Sequence, residues 1–235
     1  MSANAEVLQS AELMGSRAEE RALPKVGVGC APNSWNPEDF AHEQVRGLVR
    51  RVFFASGAPA VKQVAFSAAD PSTDVADICN RVGRALALET GADVAVVGRK
   101  LQVQEMMGMP PRHPKNTIKS WSTQAAINLW NVPEFRLNEY GEDPGTARRW
   151  LVRLERLRNE FEYSIIHGPV AGASGEAALL GQLTDGIVLV LGAHSTRRAT
   201  ARKIKETLET AHSRILGSVL SGRTFPVPEQ IYRRL

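Results

Sequence analysis

VKQVAFSAADPSTDVADICNRVGRALALETGADVAVV, running from Val61 to Val97, is the stretch on which the fold turns. Val61 to Ser67 reads as a short buried strand, and Ala68 to Asp74 is a polar turn. Val75 to Glu89 then places Val75, Ile78, Val82 and Leu86 on one helical face. After Gly91-Ala92 the run Asp93 to Val97 is again apolar and strand-like. Strand, turn, helix, strand in this span is a βαβ unit, which joins two parallel strands by a right-handed crossover.

The same alternation extends outward. Upstream, Asn36-Pro37-Glu38-Asp39 is a helix start, with a capping Asn, Pro at the first helical position and two acids in the first turn. Val45, Leu48, Val49, Val52 and Phe53 follow at helical spacing. Downstream, Asp143-Pro144 opens a helix carrying Trp150, Leu151, Leu154, Leu157 and Phe161, and Tyr163 to His167 is a strand. Ala177 to Leu183 reads as helix and Ile187 to Leu191 as strand. Arg197 to Leu216 reads as an amphipathic helix with Ile204, Leu208, Ala211 and Ile215 inward, before a last short strand at Ser218 to Leu220. Between the halves, Gln104 to Glu142 is rich in Pro, Gly and Met, with room for a strand in Asn128 to Leu137. The pattern predicts an α/β protein: a doubly wound, mostly parallel sheet flanked by helices. Residues 1–36 read as a flexible or loosely docked extension, and 37–235 as a single domain.

Composition agrees. The 235 residues are 43% hydrophobic and 23% charged, which excludes collagenous, coiled-coil and wholly disordered chains. Two cysteines, Cys30 and Cys79, make neither a disulfide framework nor a four-ligand zinc site, and they fit a reducing compartment. The five histidines show no metal-ligand spacing, so no metal is expected. No apolar stretch approaches the roughly 20 residues of a membrane span, and the first twenty residues have no apolar core of a secretory signal. A cytoplasmic protein without a span of its own is the expectation. Net charge is +4 but uneven: from His194 to Leu235 there are nine Lys/Arg against three Glu. That basic stretch lacks the interleaved aromatics of a single-strand nucleic-acid binder, so nucleic acid is not an expected partner.

Ligands of such sheets sit at the carboxyl ends of the strands, above the first βα turn. A phosphate-cradling turn needs glycines so that amides point inward, a Lys for the β/γ-phosphates and a Ser/Thr hydroxyl for magnesium. The turn here, Ser67 to Ala76, has no Gly and no Lys, and Asp70 and Asp74 add negative charge.

In order and texture, residues 37–235 resemble the ATPase domain of bacterial tyrosine kinases of capsule and exopolysaccharide synthesis, deviant-Walker P-loop proteins related to the Min and Par ATPases. Setting Arg84-Ala85-Leu86-Ala87 against that family's helix puts its Pro-Gly-Glu-Gly-Lys-Ser/Thr loop at Pro71-Ser72-Thr73-Asp74-Val75-Ala76. Ser72 and Asp74 then replace the glycines, Val75 the lysine and Ala76 the metal-binding hydroxyl. The family's second acidic motif falls on Gly98-Arg99-Lys100, and its third on Tyr163 to Val170 with His167 at the aspartate. The closing stretch carries a single tyrosine, Tyr232, rather than a tyrosine-rich tail.

What the resemblance implies is a P-loop fold from which the phosphate and metal groups have gone. Losing the Lys and three metal-organising groups removes on the order of 5–8 kcal/mol of charge-assisted hydrogen bonding. That weakens micromolar nucleotide binding by roughly 10³ to 10⁵. No cofactor, ATP hydrolysis or tyrosine kinase activity is therefore expected. The implied role is an interaction or regulatory module in polysaccharide assembly, and the implied partner is the cytosolic segment of a membrane chain-length regulator (co-polymerase). The family's ring-packing helix segment matches Glu43 and Arg46, but its third position is Val49, with Arg50 and Arg51 following. Those residues are the candidate surface for a partner or a homo-oligomer. The alternative is a small anion, such as a nucleotide sugar, held in a remodelled cleft by Arg99, Lys100 and His167.

Overall fold

The computed structural model describes residues 37–55, 59–98, 117–133, 146–173 and 175–222. Seven strands form one sheet in the order β3-β4-β2-β5-β1-β6-β7. They are β1 (Gln63–Ala68), β2 (Val94–Gly98), β3 (Thr123–Ala126), β4 (Leu129–Pro133), β5 (Tyr163–His167), β6 (Gly186–Gly192) and β7 (Ile215–Ser221). All pairings are parallel except that of β3 with β4, at one edge. The expected fold class is therefore present.

Among the described residues the α-helices are α1 (Pro37–Phe53), α2 (Val75–Thr90), α3 (Thr146–Glu160), α4 (Glu176–Leu183) and α5 (Arg198–Thr210). Every residue of β1 is buried, as a central strand covered on both faces requires. Successive side chains alternate between two cores. Val64, Phe66, Val96, Ile165 and Val188 pack with Val49, Val52 and Phe53 of α1 and with Val82 and Leu86 of α2. Ala65, Val97, Ile166, Ile187 and Leu189 pack with Trp150, Leu154 and Leu157 of α3, Leu180 of α4, and Ile204 and Leu208 of α5. Gly83 lets α2 approach the sheet closely: a Cβ there would stand 2.6 Å from Val96 Cγ2 and 3.0 Å from Leu129 Cδ1.

Two expectations are corrected. The helix read from Arg197 to Leu216 ends at Thr210, because His212 takes a left-handed conformation (φ 55) and Ser213 is buried with its hydroxyl donating to the Ala178 carbonyl (2.7 Å). Ile215 accordingly begins β7 rather than closing the helix, and the last strand is seven residues long. In the irregular middle region the strand expected within 128–137 is β4, preceded by an unanticipated antiparallel strand, β3, whose residues TQAA carry no apolar alternation. Lys119, in the 3-10 turn Ile118–Trp121, donates to Asp93 at the start of β2 and lies over the Trp130 and Phe161 rings, which ties this hairpin to the sheet. The expected extension, residues 1–36, lies outside the described residues.

Candidate functional site

Because β1 lies between β5 and β6, the loop from Ala69 to Asp74 emerges at the sheet's centre, where two neighbouring strand ends and the start of α2 converge. Its backbone is anchored on both sides. Ala69 N donates to the Val190 carbonyl (2.9 Å), and Ala171 N donates to the Ala68 carbonyl (2.8 Å).

Within this loop the chain's own carboxylates take up the donors. Asp74 caps α2, its Oδ1 accepting from the amides of Ala76 (3.0 Å) and Asp77 (3.3 Å). These first-turn amides belong to the helix end that in a phosphate-binding loop faces the anion. Asp70 accepts from Ser72 N (3.1 Å), the Ser72 hydroxyl and Thr73 Oγ1 (3.2 Å) on one oxygen. Its other oxygen accepts from Ser195 Oγ (3.0 Å) and the Thr196 hydroxyl, both in the loop between β6 and α5. Partial burial would by itself raise the Asp70 carboxyl, but the hydroxyls of Ser72, Thr196, Ser195 and Thr73 outweigh it and hold the group down at about 2. Gly192 makes room for this cluster: a Cβ there would run into Ser195 Oγ and lie 3.0 Å from Thr73 Oγ1.

Beside the loop, the first turns of α2 and the ends of β2, β4 and β5 enclose a cleft of about 60 Å³ lined by Ala76, Cys79, Asn80, Val96, Gly98, Asn131 and His167. It has room for a few waters, against the roughly 300–1,000 Å³ of a small-molecule pocket. The Oδ1 of Asn131 is buried there without a hydrogen-bond partner. Burial pushes the Cys79 thiol up, leaving it protonated and unreactive. A larger hollow of about 440 Å³ lies at the opposite, amino ends of the strands, lined by Asp93, Asn128, Arg158 and Glu162 among others. Its charges are engaged within the chain: Arg158 with Asp185 (3.5 Å), Glu162 with Lys62 (2.7 Å), and Asp93 with Lys119.

The structure thus places Pro71 to Ala76 on the loop and first turn anticipated from the sequence, and His167 at the end of β5 in the adjoining cleft. Arg99 and Lys100 follow β2 directly and lie outside the described residues. Ser195, Thr196 and Asn131 escaped the sequence reading. A hydroxyl pair three residues past the end of an apolar strand is a weak signal for the first two, and none marked the third. The α1 group stands elsewhere. Arg46 pairs with Glu43 (3.0 Å) and with Glu89 of α2 (3.2 Å), and Arg50 pairs with the same Glu89 (3.4 Å). Arg51 is exposed and makes no ion pair among the described residues.

A scan against family models finds no match. Among curated proteins, the chain is 26% identical over 209 residues to the tyrosine-protein kinase YwqD of Bacillus subtilis (strain 168), covering 80% of this chain and 83% of that protein. It is 37% identical over 97 residues to the tyrosine-protein kinase CpsD of Streptococcus agalactiae, covering 39% of this chain and 42% of that protein. Among solved structures, the chimerical protein CapA2B2 aligns with a TM-score of 0.58 at 20% identity, over 80% of this chain and 86% of that one. The VpsO kinase domain aligns at 0.56 and 16% identity, over 80% and 98%. The MinD cell division protein of Aquifex aeolicus shares the fold at 0.51 and 12% identity, over 74% and 72%. With a central strand leading through a turn to a helix start, and a tyrosine-protein kinase matched along most of its length, the chain is similar to bacterial tyrosine kinases and has the P-loop fold that MinD also has.

Proposed function

We propose that this chain is a catalytically inactive relative of the exopolysaccharide tyrosine kinases, acting as a cytoplasmic interaction or regulatory module in polysaccharide assembly and export. One observation carries the reading: Asp74 and Asp70 accept the hydrogen bonds of the loop and helix start that a nucleotide's phosphates would otherwise receive. A phosphate brought within about 4 Å of the Asp70 carboxylate meets a repulsion on the order of 4 kcal/mol in a near-surface environment. Val75 and Ala76 offer neither ammonium nor hydroxyl in return. Phosphoryl transfer depends on positioning and on metal-neutralised charge, so turnover fails even where residual binding survives.

Under this reading, residues 37–235 are one P-loop-like domain that keeps a scaffold for partners. The exposed face of α1 bearing Glu43, Arg46, Arg50 and Arg51 is its contact surface. The partner is the cytosolic segment of a membrane chain-length regulator. No helix among the described residues is long and apolar enough to cross a membrane, which agrees with attachment through such a partner. The test pairs two measurements. The purified chain, incubated with magnesium-ATP, shows no turnover and no tyrosine phosphorylation, while crosslinking in the native host captures a polysaccharide-assembly protein. Phosphorylated tyrosine in the first, or no such protein in the second, overturns the proposal.

A further inference from the structure

Helix α5 breaks two local rules. Its capping residue is Arg197, which makes no side-chain cap, and its first turn holds Arg198 and no acid. Cations there oppose the positive end of the helix dipole. Arg198, Arg202 and Lys205 follow at i, i+4 and i+7, roughly a quarter-turn around the helix from the buried Ile204 and Leu208, so like charges sit as neighbours on one exposed stripe. Lys203 is exposed on the other flank of the buried side. Of these five cations, only Lys205 has an ion pair among the described residues, to Glu209 at 3.4 Å. Local conflicts of this kind are retained where a ligand relieves them.

The relieving group is anionic, and the face itself narrows its kind. No large apolar side chain is exposed on α5, and neither the cleft at Asn131 nor the hollow at Asp93 lies against it. A protein partner would lack the buried anchor that carries such interfaces. The carboxylates Glu206 and Glu209 occupy the helix's second half, so the cationic band from Arg198 to Lys205 is only about 10 Å long. A rigid duplex lying along the helix would press phosphates onto those acids. Mobile headgroups instead gather under the cations and leave the carboxylates to water. We infer that the Arg197–Lys205 face of α5 is a docking surface for anionic phospholipid, recognised through headgroup phosphodiesters. Lipid contact at α5 is independent of whether the β1–α2 loop binds nucleotide.

The test is sedimentation of the full chain with vesicles of phosphatidylcholine alone or containing about 40% phosphatidylglycerol. At about 50 mM salt the chain pellets with the anionic vesicles and not with the neutral ones, and about 300 mM salt releases it. Each cation contributes about fivefold to the partition, so R198E/R202E/K203E lowers it by on the order of a hundredfold or more. R198Q/R202Q/K203Q, which adds no acid beside Glu206 at these exposed positions, keeps the wild-type circular dichroism and also loses partition by about a hundredfold, so lost binding cannot be ascribed to unfolding. Equal partition to both vesicle types, undiminished binding of either triple variant, or tighter binding to duplex DNA than to anionic vesicles at about 150 mM salt overturns the inference.

Discussion

At the Asp70 carboxylate, burial and hydrogen bonding pull the proton affinity in opposite directions, and the hydroxyls win. The folded group sits at about 2, below the ordinary unfolded value of about 3.9. Its stabilisation is therefore complete above roughly pH 5 and is lost as pH falls toward 2. Asp70→Asn, which cannot accept all of these bonds, loses about 1–2 kcal/mol at pH 7. Urea unfolding of the two proteins then shows a gap that narrows below about pH 4 and closes near pH 2. A gap constant with pH would mean that the carboxylate's charge does not hold the loops together. That acids stood in the β1–α2 turn was plain from the sequence. That Ser195 and Thr196 close on Asp70 was not, because they lie 125 and 126 residues away and meet it only once β1 and β6 pair.

At the scale of elements, the βαβ unit from β1 to β2 was readable because β2 is an unbroken apolar run, β1 has Val64-Ala65-Phe66 at its centre, and the helix opens on Asp74, whose side chain does cap α2. The end of α5 was not readable, because the apolar spacing of Ile204, Leu208, Ala211 and Ile215 continues into a strand with no proline or glycine between them. The edge strand β3 was invisible for the opposite reason: TQAA is polar and mostly exposed, so its position is set by pairing with β4 rather than by burial. Close packing of α2 on the sheet yields a further prediction. Gly83→Ala gains up to about 1 kcal/mol of helix propensity but forces Val96 and Leu129 apart, at roughly 1–3 kcal/mol. The expected outcome is a net loss of about 1 kcal/mol in urea unfolding, and a gain would show that α2 can shift freely.

At the scale of the whole molecule, both helix layers flank a mostly parallel sheet, and at its centre Asp70 and Asp74 accept hydrogen bonds from the chain itself. Arg46 and Arg50 are engaged with Glu89 inside the chain, bracing α1 on α2. Light scattering should accordingly give the same mass for the wild type and for R46E/R50E, and a fall in mass for the variant would place a self-association contact on α1. If the proposed reading is right, this scaffold no longer grips magnesium-triphosphate. Isothermal titration with magnesium-ATP then gives no saturable heat below about millimolar ligand, at least a thousandfold weaker than a micromolar binder, and a micromolar dissociation constant overturns it.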